Sequence, residues 1–316
     1  MSFSAWRTAF DEIRRGRVTE LVHIRDRARL WRIAEKLDSS QLHTLVDDDE
    51  PLTAEALVGA TEQRAGRLML GTYSESGFVY ALQRYGIWED LEKVCKEAPV
   101  LVIRDTSESI QKMVIRDGAD GPVIVELRAG LRFPPDGDPE LAHDLPGPSD
   151  ATWLSVEWLT LQNPYAEFPP TRPPLPGQDH PGLGIGREVM ELLLIMGWRL
   201  GCAGLVSHPA WFHNAVMYRL HYRFVDPVEE GRFLAMIRDF EASGLTLSEA
   251  SRAVDAGKVH DAEGNQISWT PGPMVAPLLP GADLDAKDGW LERVREAREA
   301  ASYRFPPRER LRAPPP

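Results

Sequence analysis

The spacing of apolar and polar positions divides the chain into a helical first third and a strand-rich middle. "ARLWRIAEKL" (28–37) carries apolar residues at helical spacing, and "TELVHIRD" (19–26) ahead of it reads as a short strand. "YALQRYGIWEDLEKVCKEA" (80–98) is a further helical stretch, interrupted or ended around Gly86. Between them the acidic run 47–51 reads as a solvated loop that favours the positive end of a helix starting near Thr53. The character changes at Pro99. "VLVIRD" (100–105), "QKMVIRD" (111–117) and "PVIVELRAGLRF" (122–133) are rich in β-branched residues, and "GADG" (118–121) predicts a hairpin turn. A Pro/Asp/Gly-rich loop (134–150) then leads into another strand, "TWLSVEWLTLQN" (152–163).

A proline-rich loop (164–181) separates that strand from "HPGLGIGREV" (180–189), where three glycines fall within five positions directly before a helix. The helix, "REVMELLLIMGWRL" (187–200), is apolar around most of its circumference, so it must be covered on more than one side. It runs to Gly201, a suitable C′ residue. "AGLV" (203–206) reads as a buried strand. "PAWFHNAVMYRLHY" (209–222) reads as a helix with Pro209 in its first turn, and His208 just before it suits a capping or packing role. A short strand closes at 223–227. Two more helices follow, 228–244 and 246–257, the second opened by a Thr246…Glu249 capping box and closed by Gly257. Residues 259–269 read as a hairpin, and the proline-ended tail as a mobile end. Read in order, the chain is a mainly helical part (1–98), a β-rich core (99–227), a C-terminal helical extension (228–303) and a flexible tail (304–316). The fold class is α+β.

Composition narrows the function. The 316 residues carry a formal net charge of −12, so a nucleic-acid partner is not expected. The tail's arginines are the one local basic run. No apolar stretch is long enough to span a bilayer, and the N-terminal sequence lacks the pattern of a secretory signal. Two cysteines, Cys95 and Cys202, cannot build a disulfide framework or a zinc ribbon. These features predict a cytoplasmic protein with no membrane partner. His208, His213 and His221 cluster in sequence without the spacing of a metal motif, so no metal is expected.

The glycine stretch raises the question of what its backbone approaches. A P-loop needs Gly-Lys-Ser/Thr, but Arg187-Glu188 follows Gly186. A dinucleotide loop needs its strand immediately before it, and here 18 residues (164–181) intervene. Two explanations stand. Backbone amides at a helix N-terminus form an anion site when side chains are absent, or the glycines serve a tight turn and close packing.

The order strand, glycine loop, helix, strand, helix with Asn214 and Tyr218 resembles the general-control-type N-acetyltransferase (GNAT) superfamily. The likeness covers about 152–226, with Gly184 and Gly186 on the family's two loop glycines. It implies a central mixed sheet flanked by helices, with a helical N-terminal elaboration and the C-terminal extension added. It also implies acetyl-CoA, or another acyl-CoA, as cosubstrate. The pyrophosphate would sit on the amides of Gly182, Leu183, Gly184, Ile185, Gly186 and Arg187, with Asn214 nearby. The thioester carbonyl would meet backbone N–H groups near Leu159 and Leu161, where the family's fourth strand splays from its fifth. Those donors would stabilise the developing oxyanion. Tyr218 would protonate the departing thiolate, and Glu157 would serve as base for an acceptor amine, small molecule or protein, with His213 an alternative base. Pro181 stands where the family has Arg or Gln, and His221-Tyr222 where it has Gly-Phe. On those departures the alternative is a catalytically silent binding module or scaffold, meeting a protein partner through the C-terminal extension.

Overall fold

In the computed structural model, residues 17–43, 68–107, 109–132, 145–148, 150–170 and 172–308 are described. The acidic run at 47–51, the helix expected near Thr53, most of the 134–150 loop and residues 309–316 of the tail lie outside them. Among the described residues, a seven-stranded mixed sheet takes its strands in the order Pro99–Asp105, Gln111–Asp117, Val123–Arg132, Trp153–Leu161, Gly204–Ser207, Met274–Pro277 and Arg223–Phe224. The chain divides into two compact units, each drawn from separate stretches of sequence. Unit 1 comprises 1–131, 158–164 and 182–200, and unit 2 comprises 132–157, 165–181 and 201–316.

Unit 1 opens with α1 (Arg17–Lys36), which overturns the strand expected at 19–26. The reason lies in the spacing. Leu21, Ile24, Ala28 and Trp31 recur every three or four residues, and neither Gly nor Pro interrupts the run. After α2 (Ser39–Leu42), α3 (Glu75–Tyr85) starts on Ser74, whose hydroxyl accepts the Gly77 N–H at 2.9 Å. Gly77 must lack a side chain, because a Cβ there would lie 2.0 Å from the Leu42 carbonyl oxygen. Gly86, at φ +81°, ends α3 in the left-handed conformation, and the short α4 (Trp88–Glu92) follows. The break expected around Gly86 is thus the junction between these two helices.

Strands β1 (Pro99–Asp105), β2 (Gln111–Asp117) and β3 (Val123–Arg132) form an antiparallel meander. Met113, Ile115, Val125 and Leu127 alternate onto its buried face. Helix α5 (Gly186–Arg199) buries Leu193 to Met196 and is tied to α1 by polar contacts. Buried Glu191 takes the Trp31 indole N–H and pairs with Arg27, each at 3.2 Å. The Arg199 guanidinium caps the carbonyls of Ala34 and Leu37. Trp198, partly exposed, meets Trp31 edge-on at 5.6 Å.

In unit 2, the first residues of β4 (Trp153–Leu161) run parallel to β5 (Gly204–Ser207). Helices α6 (Phe212–Tyr218), α7 (Pro227–Ala242), α8 (Leu247–Asp255) and α9 (Trp290–Ala300) belong to the same unit. Helix α6 begins three residues after Pro209, and its first turn is closed by Asn214, whose Oδ1 accepts the Trp211 N–H at 3.1 Å. His208 is exposed and takes no part in that cap. The expected Thr246–Glu249 capping box is present on α8.

The C-terminal third is not wholly helical. β7 (Met274–Pro277) pairs antiparallel with both β5 and β6 (Arg223–Phe224). The hairpin expected at 259–269 is reduced to a bridge between His260 and Gln266. The core of this unit gathers Trp153, Val206, Val275, Leu284, Trp290 and Val294. Among the described residues, no helix is long and apolar enough to cross a membrane.

Candidate functional site

Unit 1 holds the glycine loop and the C-terminal half of β4. Gly182, Gly184 and Gly186 are exposed, whereas Leu183 and Ile185 between them are half-buried. The loop thus turns its apolar side chains in and offers bare backbone outward. Gly184 has φ +82°, so glycine is needed there for conformation alone. Neither Gly184 nor Gly186 has any neighbour within 4 Å of where a Cβ would sit, and Gly182 makes only an ordinary contact, 3.6 Å from the Leu161 carbonyl oxygen. Close packing therefore explains none of the three. Gly186 is the first residue of α5, and Ile185 at the N-cap supplies no side-chain hydrogen bond to the helix start. The loop amides stand at an N-terminus that no N-cap side chain has closed. Glu188, in the first turn, opposes an anion at the same place.

The edge of β4 beside this loop is equally specific. Registered pairing with β5 covers Trp153, Leu154 and Ser155 only, although β4 continues to Leu161. At its far end β4 is pinned to β3: the Gln162 N–H donates to the Ile124 carbonyl at 3.0 Å, and Nε2 to that of Val123 at 2.9 Å. Strand alternation then turns the N–H groups of Leu159 and Leu161 to the opposite edge. Gly182 lies against that edge through the Leu161 carbonyl. The side chains of Leu159, Leu161, Ile185 and Val189 line an apolar cavity of about 60 Å3, far below the size of a ligand pocket, so they pack the loop rather than receive a molecule. The structure thus brings together Leu159, Leu161 and the loop 182–187.

Unit 2 holds Glu157, His213, Asn214 and Tyr218. Glu157 accepts a hydrogen bond from Ser155 Oγ at 2.5 Å and one from Arg132 Nη2 at 2.9 Å. Partial burial would raise its pKa, but these donors, with the charges of Arg132 and His208, hold it below the ordinary carboxylate value. It is ionised at neutral pH and a weak proton acceptor. His213 is buried, stacked on Trp211 with ring centroids 5.9 Å apart, and its Nδ1 is 2.8 Å from Ser251 Oγ. Burial pushes its pKa down to about 4, leaving a neutral imidazole. Asn214 uses its carbonyl oxygen to close α6. The half-buried Tyr218 packs on Tyr222 at 5.5 Å, and burial raises its pKa, so the hydroxyl keeps its proton.

Two partners escaped sequence reasoning. Arg132 reaches Glu157 from 25 positions away, and Ser251 reaches His213 from 38. Neither spacing is a motif. A signal existed only for Ser155, which an alternating strand places on the same side as Glu157. Among the described residues, no group of three His, Cys, Asp or Glu side chains is placed to hold a metal ion. No family model and no characterised protein matches this sequence.

Proposed function

We propose that the chain binds an acyl-CoA through the loop at 182–187, in the manner of a GNAT-like protein. The observation that carries the reading is the state of the three glycines: exposed, unpacked, and set at the uncapped start of α5. Backbone amides in that position attract a pyrophosphate without a lysine. The outward edge of β4 at Leu159 and Leu161 supplies the second half of the argument, two amides suited to a thioester carbonyl. Glu188 weakens an anion site there without abolishing it, since the amides and the helix dipole act together.

Transfer of the acyl group to an amine is the activity this binding would serve. In that reaction the amine nitrogen attacks the thioester carbon, the C–S bond breaks, the thiolate gains a proton and the new ammonium loses one. Tyr218, which keeps its proton, is the proposed donor to the thiolate. Glu157 is the proposed acceptor, working as a weak base unless Arg132 is displaced. The tie between Glu157 and Arg132 favours a second reading, in which the protein binds the cofactor and does not turn it over.

Thermal or chemical unfolding with and without acetyl-CoA separates these readings. At a concentration 100 times Kd, acetyl-CoA is expected to add about 2.7 kcal/mol to the unfolding free energy. Gly186→Val points its side chain into open space, so it should unfold like the parent chain yet lose at least about tenfold in affinity. Unchanged stabilisation of this variant, or none of the parent chain at millimolar ligand, overturns the loop assignment. Stabilisation without acetylation of any amine in a panel selects the silent binding module.

A further inference from the structure

Unit 2 contains a cavity of about 340 Å3 between the start of α6, the end of α8 and the segment 266–269, within the size range of small-molecule sites. Its walls are polar, and three of their side chains, Asp255, Gln266 and Ser268, are exposed. Among the described residues, Asp255 is the one formally charged residue on the wall; Arg252 and Lys258, close to it in sequence, do not line the space. Helix α8 ends here. Gly257, at φ +62°, turns the chain away, and the backbone N–H groups of Ala256, Gly257 and Lys258 close the carbonyls of Arg252, Val254 and Ala253.

Two indoles complete the wall, and both are held in place. Trp269 donates its N–H to the Pro209 carbonyl at 3.0 Å, and Trp211 is stacked on His213. Behind Trp211 the His213 imidazole is neutral and bonded to Ser251, itself a wall residue, so it sets no positive charge against the space. A carboxylate and indole rings each favour positive charge. Gln266 and Ser268 offer oxygens to N–H or O–H groups of a bound molecule.

From this convergence we propose that the cavity is a binding site for a small organic ammonium cation, with Asp255 as its counter-ion and Trp211 and Trp269 as its aromatic walls. The site is independent of the acyl-CoA loop, and its failure would leave that reading untouched.

The test is calorimetric titration of the full chain with choline chloride at constant ionic strength, with glucose and sodium acetate as neutral and anionic comparisons. Saturable binding of choline alone is expected, weakened at least about tenfold by Asp255→Asn. Asp255 is exposed, so that variant should melt as the parent chain does. No saturation by choline up to about 50 mM, equal binding to the Asp255→Asn variant, or binding of glucose or acetate in place of choline overturns the proposal.

Discussion

Replacing Trp153 with alanine is expected to lower the unfolding free energy of unit 2 by about 3–5 kcal/mol. That is a fifth or more of the roughly 5–15 kcal/mol that holds a typical domain together. Trp153 is 1% exposed, and it anchors the start of β4 where that strand pairs with Gly204 of β5. Its ring fills the space a side chain at 204 would take: a Cβ there would lie 2.5 Å from Trp153 Cζ3 and 2.5 Å from the Ala276 carbonyl oxygen. The two positions are complementary, one oversized and one empty.

Gly204→Ala should cost about 1–3 kcal/mol by overfilling, and combining it with Trp153→Ala should not restore stability. Removing the indole clears one obstacle, but the Ala276 carbonyl belongs to the β7 ladder and cannot retreat without breaking the pairing. Denaturation of the two single variants and the double variant, followed by circular dichroism, decides the matter. If Gly204→Ala becomes neutral once Trp153 is gone, the close approach of β7 to β5 is wrong.

That same β7 marks the limit of what the sequence shows. Strands β1 to β3, the parallel pair and the helix after the glycine loop are legible because their apolar spacing agrees with their buried faces. "MVAP" is only four residues long, ends in Pro277 and lies between Pro273 and Pro280, a pattern that does not mark a strand. It is a strand because β5 and β6 present edges on either side of it, and no local pattern reports that. The 20-residue α1 is hard to read for the opposite reason: its first turns contain Val22 and Ile24, which suggest a strand when taken apart from the spacing that continues through Trp31.

The site divides similarly. The loop's position ahead of α5 is plain from composition, but its glycines being unpacked is a three-dimensional fact. Glu157 stands out as an acid on an alternating strand, whereas its engagement by Arg132 depends on two strands meeting across the stretch between residues 133 and 152. His213 reads as an available base because a sequence does not show burial. Ser251, which satisfies it, lies three elements further on, in α8.

Glu230→Gln is expected to stabilise the protein above neutral pH and to change little near pH 5. Glu230 is 2% exposed near the start of α7, with its Oε2 accepting the Phe224 N–H at 2.9 Å and its Oε1 3.6 Å from Arg223 Nε. Burial raises its pKa to about 7; Arg223 and the Phe224 amide pull it down, and Asp285 and Glu229 push it up. A carboxyl whose pKa is higher folded than unfolded binds its proton more tightly in the native state. Its contribution is therefore full below the unfolded value of 4.5 and is lost as pH rises toward 7. At 1.36 kcal/mol per pKa unit, the loss amounts to about 3 kcal/mol. Glutamine keeps an acceptor for Phe224 and never ionises, while partly exposed Arg223 can turn to water. The stability difference between variant and parent should thus grow from near zero at pH 5 to about 1–3 kcal/mol at pH 8. Urea titrations at several pH values measure it. A difference independent of pH, or a variant weaker than the parent at pH 8, would show that the Arg223 pair outweighs the cost of burying the charge.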